Sequence, residues 1–295
     1  MPFASHYLTC AGLEIHCTDW QPASPARGTV IAWHGLARTG RDMDELAGHL
    51  QGQGWRVVCP DTVGRGLSQW SAEPDAQYCL RFYARLAREL VDGLGLDQVH
   101  WVGTSMGGAI GTLCAAGLAE STLRGRVRSL VLNDNAPELA QAAIERIRSY
   151  AGQPPAFATV GELEAFFRQV YQPYGWLSDA QWRRLTETSV RRLPDGRVTP
   201  HYDPAMVRQF IVHPDDYRIW AHYDAITVPV LLLRGATSDL VLPETVARMR
   251  TRGPGAQGLL QTIEVPGCGH APALNVPEHW AWVSDFLARA EERAA

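Results

Sequence analysis

The chain has 295 residues, 46% of them hydrophobic and 20% charged, and a formal net charge of −4. Such a balance belongs to a soluble globular protein, and the length suits one α/β domain with an inserted lobe. The negative balance argues against nucleic acid as a partner, and the absence of any lysine excludes a Schiff-base lysine and a P-loop.

Met1 to Cys10 has neither a basic start nor a long apolar core, so no secretory leader is expected there. No uninterrupted apolar run approaches membrane length, so no membrane association is expected. The six cysteines (Cys10, Cys17, Cys59, Cys79, Cys114 and Cys268) show no Cys-x-x-Cys spacing, which fits reduced thiols in a cytoplasmic protein.

In chain order, Tyr7-Leu8-Thr9 and Glu14 to Asp19 flank Ala11-Gly12 and read as an opening hairpin. Thr29 to Trp33 is a continuous apolar run, as in a strand buried on both faces, and leads into His34-Gly35-Leu36. A short helix is predicted from Asp42 to Leu50, a strand from Trp55 to Cys59, and a helix from Tyr78 to Leu94 closed by glycines. Val99 to Val102 is a strand and Met106 to Ala119 a helix. Val127 to Asn133 and Val228 to Arg234 are further apolar strands. Pro243 to Met249 suggests a helix, Leu259 to Val265 the last strand, and Glu278 to Ala290 a closing helix.

Alternating strands and helices predict a mostly parallel sheet covered on both faces. The alternation is interrupted between Asn133 and Ile226. Helices are predicted there at Glu138–Tyr150, Val160–Tyr171 and Asp179–Ser189, with a tight turn over Leu193 to Arg197. The interruption is crowded with aromatic rings, about two-thirds of which are expected to pack the lobe's own core, since buried rings mostly serve packing. The rest, with Phe167, Tyr171, Trp176 and Tyr202 as candidates together with His34, are expected to line a substrate pocket.

The most specific local signal is Gly103-Thr104-Ser105-Met106-Gly107 between a strand and a helix. A Gly-x-Ser-x-Gly there forces a tight, strained turn that lifts the hydroxyl clear of the backbone at the positive end of a helix. A serine hydroxyl needs a base, and the base needs an orienting acid. His270, in the Gly/Pro-rich loop after the last strand, is the candidate base. Asp239, beyond the strand before it, is the preferred acid, because Ser, Asp and His then run in the order this architecture uses. Asp134, just after Val127–Asn133, is the rival. Charge developing on a carbonyl oxygen calls for backbone donors, and the N–H groups of Leu36 and Met106 are the candidates.

With these residues in view, the chain resembles the α/β-hydrolase superfamily, in its capped serine esterase and C–C hydrolase-like branch. The resemblance rests on His34-Gly35, on Asp61 to Ser68, on Gly103 to Gly108, on Gly235 to Asp239 and on Gly269-His270. It implies a mostly parallel eight-stranded sheet with helices on both faces. The core would be 1–133 and 227–295, with a helical cap inserted over 134–226. It also implies a Ser-His-Asp carboxylic ester hydrolase that needs no metal or organic cofactor.

The leading expectation is hydrolysis of small to medium, largely apolar esters through an acyl-enzyme, lactones and hydroxyacyl esters included. Dehalogenases and epoxide hydrolases of this fold carry Asp where Ser105 stands. C–C hydrolases of aromatic ring-fission products share Ser-Met-Gly-Gly but often have an aromatic residue after the histidine, where this chain has Ala271. A non-catalytic ligand receptor is the alternative from another class. The partner expected is a small-molecule ester, and a monomer and a homodimer both remain open.

Overall fold

The computed structural model describes residues 3–119 and 122–293. β1 (Ala4–Cys10) and β2 (Leu13–Trp20) form the opening antiparallel hairpin, turning at Ala11 and Gly12. β3 (Thr29–Trp33), β4 (Arg56–Pro60), β5 (Val99–Thr104) and β6 (Val127–Asn133) follow. β7 (Val190–Arg192) and β8 (Val198–Pro200) make a separate small hairpin. β9 (Val230–Gly235) and β10 (Leu260–Val265) complete the main sheet. Its order is β1-β2-β4-β3-β5-β6-β9-β10, with every pairing from β4 onward parallel.

The continuous apolar runs are explained by helices on both faces. Side chains alternate across a strand, so Ile31, Trp33, Val58, Trp101, Leu130 and Leu232 join one buried cluster while Val30, Ala32, Val57, Val102, Val131 and Leu231 join the other. The first face is covered by the helices Leu80–Gly93 and Met106–Ala116, the second by Asp44–Gly52 and Pro277–Glu292. Each fully buried Leu, Ile or Val contributes roughly 1.5–3 kcal/mol. The helix Met106–Ala116 lies close to the sheet because it carries glycines. A Cβ on Gly111 would overlap the Trp101 ring, and one on Gly107 would overlap the Trp33 carbonyl.

Between β6 and β9 no described residue adds a strand to the main sheet. This insert carries the helices Gln141–Ala151, Val160–Val170 and Asp179–Glu187. Two of these start at capping boxes, Thr159 with Glu162 and Ser178 with Gln181, which satisfy otherwise unpaired N–H groups. The first begins three residues later than the sequence suggested. Leu193 to Arg197 forms the expected turn, joining β7 to β8.

The insert's rings divide differently from expectation. Phe157, Phe166, Phe167 and Tyr171 gather around Leu163 and Val198 in a small core, but Tyr202, Phe210 and Tyr217 are buried in the main core beneath the insert. All six cysteines are buried and unpaired. Among the described residues no helix is long and apolar enough to cross a membrane.

Candidate active site

Ser105 sits at the junction of β5 and the helix Met106–Ala116 with φ 51° and ψ −116°. A residue with a Cβ adopts such a conformation only when its surroundings impose it. Here the Ser105 N–H donates to the Asn133 carbonyl at 2.9 Å, tying the turn to β6. Gly103 is obligatory, since a Cβ there would overlap the backbone of Gly107 and Gly108. Met106 is the first residue of the helix, and the first N–H groups of a helix have no acceptor within it. The Met106 N–H is therefore available to an anion next to Ser105, whereas the N–H groups of Gly108 and Ala109 donate to the Ser105 carbonyl.

His270 lies in the loop after β10. That loop is held by Thr237 N–H donating to the Cys268 carbonyl (3.0 Å) and by Gly269 N–H donating to Pro173 of the insert (2.7 Å). The His270 Nδ1–H donates to Asp134 Oδ2 at 2.7 Å. Asp134 is wholly buried. It also accepts the Gly235 N–H on Oδ1 (2.9 Å) and the Ser238 hydroxyl on Oδ2 (2.6 Å). Three donors converging on one buried carboxylate fix its position and, through it, the imidazole's orientation.

The expectation that Asp239 is the orienting acid is corrected by this geometry. Asp239 lies beyond the turn closed by Ser238 N–H to the Gly235 carbonyl, its side chain is 52% exposed, and it pairs with Arg146 of the insert. Hydrogen bonding from Arg146 draws the Asp239 carboxyl below its ordinary pKa. Chain order could not separate the two carboxylates, because both lie between Ser105 and His270. What separates them is position on the sheet. Thr104 of β5 is level with Asn133 of β6, so Ser105 and Asp134 leave adjacent strands side by side.

The turn after β3 is rigid. Thr62 N–H donates to His34 Nε2 at 2.9 Å, and His34 Nδ1–H donates to the Gly35 carbonyl at 2.6 Å. Burial lowers the His34 pKa to about 4, so the ring is neutral at pH 7. Arg65, fully buried, donates from Nε to the Leu36 carbonyl (2.9 Å) and from Nη1 to the Val63 carbonyl (2.7 Å). Its Nη2 lies 3.7 Å from the Met106 sulfur. One arginine thus touches both residues whose N–H groups are the candidate oxyanion donors.

A cavity of about 680 Å³ opens over Ser105 and His270, within the range of small-molecule sites. Leu36, Arg38, Tyr171 and Tyr174 are in its wall. Of the pocket residues expected from the sequence, only Tyr171 lines this cavity. Trp176 is 71% exposed, Phe167 is buried on the inner face of its helix in the insert's core, and Tyr202, bridged to Arg65, is buried in the main core. His34 is buried behind the turn it supports and is committed to backbone partners.

A model of the α/β-hydrolase fold matches residues 28–275. The chain belongs to the α/β-hydrolase family. It is 39% identical over 279 residues to a 3-hydroxybutyrate-oligomer hydrolase of Cupriavidus necator, covering 91% of each chain. It is 31% identical, with a TM-score of 0.83, to the structure of an α/β hydrolase from Novosphingobium aromaticivorans, covering 97% of this chain and 98% of that one. E-2-(acetamidomethylene)succinate hydrolase shares the fold, with a TM-score of 0.81 at 22% identity and coverage of 97% and 100%.

Three residues of this α/β hydrolase were passed over in the sequence. Ser238 braces Asp134. Arg65 joins the two turns beside Ser105. Asn133 donates from its amide to Thr104 Oγ1 (3.0 Å) and to the Pro272 carbonyl (2.8 Å), linking the serine turn to the histidine loop. The available signals were weak: Arg65 is flanked by Gly64 and Gly66, and Asn133 is a polar residue ending an apolar strand.

Proposed function

We propose that this hydrolase cleaves carboxylic esters through an acyl-enzyme on Ser105, with short esters of hydroxy acids as the preferred substrate class. The observation that carries the reading is the hydrogen bond from His270 Nδ1 to buried Asp134, in a cavity that also exposes Ser105. It fixes the tautomer in which Nε2 carries a lone pair and can accept the serine proton. The likeness to a 3-hydroxybutyrate-oligomer hydrolase across nearly the whole chain supports the substrate class.

In this mechanism Ser105 Oγ attacks the ester carbonyl as His270 Nε2 takes its proton. The N–H groups of Leu36 and Met106 hold the oxyanion. The ester C–O bond breaks and the alcohol leaves with the proton from His270. Water then attacks the acyl carbon, His270 again accepting a proton, and the acid is released. Asp134 orients His270 and stabilises the imidazolium formed in each half-reaction.

The test is turnover of p-nitrophenyl butyrate and of 3-hydroxybutyrate dimer by wild type and Ser105→Ala. Loss of at least ~10³-fold in kcat with an unchanged circular dichroism spectrum is expected. Ester turnover that persists in Ser105→Ala, or wild type that binds esters and turns over none, overturns the proposal.

A further inference from the structure

The cavity wall contains one arginine whose hydrogen bonding is incomplete. Arg38 lies two residues beyond Leu36 and is almost wholly buried. Its Nε and Nη2 each donate to Asp42 at 2.7 Å, and Nη2 also donates to Ser189 of the insert at 2.8 Å. Its Nη1 is buried and has no acceptor among the described residues. A guanidinium has five N–H donors and is always charged, and a buried charged donor without an acceptor is costly. The Tyr171 ring lies over the guanidinium, 4.7 Å from the carbon to the ring centroid. Arg38, Tyr171 and Tyr174 share the cavity wall with Ser105 and His270.

We propose that Arg38, covered by Tyr171 and beside Tyr174, is a subsite for a carboxylate on the substrate's leaving alcohol. The proposal rests on the ester-hydrolase reading and narrows it to esters whose alcohol half is itself a free acid. Leu36 and Arg38 are two positions apart, with only Ala37 between them, at most ~7 Å of chain. In a dimer of a 3-hydroxy acid the free carboxylate lies only a few bonds from the scissile carbonyl, so one short turn serves both ends. The carboxylate reaches Nη1 as the Tyr171 ring shifts aside, and its arrival supplies the missing acceptor. Cleavage forms the Ser105 acyl bond and breaks the ester C–O bond. The departing hydroxy acid takes its proton from His270 and leaves with its carboxylate intact.

Arg146, the other arginine of this wall, is less suited. It is 53% exposed and already paired with Asp239. Arg38 offers a directed donor in a water-poor setting, where a charged hydrogen bond discriminates best.

The experiment compares 3-hydroxybutyrate dimer as the free acid with its methyl ester, with p-nitrophenyl butyrate as a neutral reference, in wild type and Arg38→Gln. Wild type is expected to favour the free acid in kcat/KM by on the order of 10- to 100-fold, the range of one charged hydrogen bond, and mainly through KM. Arg38→Gln is expected to erase that preference, losing at least tenfold more on the free acid than on the nitrophenyl ester. Equal losses on both would show that Arg38 only braces the turn, and would overturn the proposal. A wild type that treats the free acid and the methyl ester alike overturns it without any variant, which also covers an Arg38→Gln that does not fold. Absence of nitrophenyl ester turnover in wild type would instead refute the ester-hydrolase reading itself.

Discussion

Replacing Asp134 by Asn keeps its size and removes its charge, and the surroundings leave the amide no satisfactory orientation. With its oxygen toward His270, the amide NH₂ confronts the Gly235 N–H, a donor facing a donor. With its oxygen toward Gly235, the NH₂ confronts both the Ser238 hydroxyl and His270 Nδ1. The hydroxyl cannot easily turn to accept, because Ser238 Oγ already accepts the N–H groups of Leu240 (3.3 Å) and Val241 (3.1 Å). The imidazole then adopts the tautomer with its proton on Nε2, and Ser105 loses its base. The carboxylate's attraction for an imidazolium at about 4 Å, with an effective dielectric constant near 20, is about 4 kcal/mol. Together with the tautomer change this predicts a loss in kcat of about 10³- to 10⁴-fold. The assay is steady-state p-nitrophenyl butyrate hydrolysis, with urea unfolding as the control for structure. Asp239→Asn is expected to stay within about fivefold of wild type, since a half-exposed ion pair contributes only ~0–1 kcal/mol. An Asp134→Asn enzyme within tenfold of wild type, with a hundredfold loss in Asp239→Asn, would refute the assignment.

Other predictions concern the parts that hold this site. Arg65→Met is expected to lower kcat on nitrophenyl esters by about 10- to 100-fold with little change in KM, since Arg65 fixes the Leu36 turn and touches Met106; a rise in KM alone would contradict this. Gly107→Ala places a methyl group against the Trp33 and His34 carbonyls and is expected to cost ~3 kcal/mol in urea unfolding, so unaltered stability would mean the helix can slide. His34 has a folded pKa of about 4 against an ordinary 6.5, so between those values the unfolded chain binds the extra proton. Stability should therefore fall as pH drops through that window, by roughly 3 kcal/mol from this group. The slope should be shallower in His34→Gln, and an identical slope would place the proton elsewhere.

The sheet was legible in the sequence because burial on both faces leaves an unmistakable mark. Thr29–Trp33 and Val127–Asn133 appear as strands with the expected bounds. Ser105 was legible because the glycines around it answer a steric demand at a strand-to-helix junction. The orienting carboxylate was not, because two aspartates satisfied the same chain order and only strand register and hydrogen bonding distinguish them. The rings of the insert were least legible. Composition says that most of the rings are buried, but not whether in the insert's own core or, as for Tyr202 and Phe210, in the main core below. Nothing in the sequence singles out Arg38 or Arg65 as buried, and both are enclosed only by the fold.

Asp134 is both a strand-end residue of the sheet and the point of departure for the insert, and this matters for anyone wishing to exchange substrate preference by grafting. A lobe borrowed from a relative would have to be spliced after Asn135, which is itself wholly buried against the Gly108 helix turn. A splice two residues earlier would transplant the carboxylate together with the lobe and hand its alignment to a foreign chain. At the other junction, Pro229 and Val230 already belong to the pairing with β6 and β10, so the exchangeable unit is bounded on both sides by residues that the sheet cannot release.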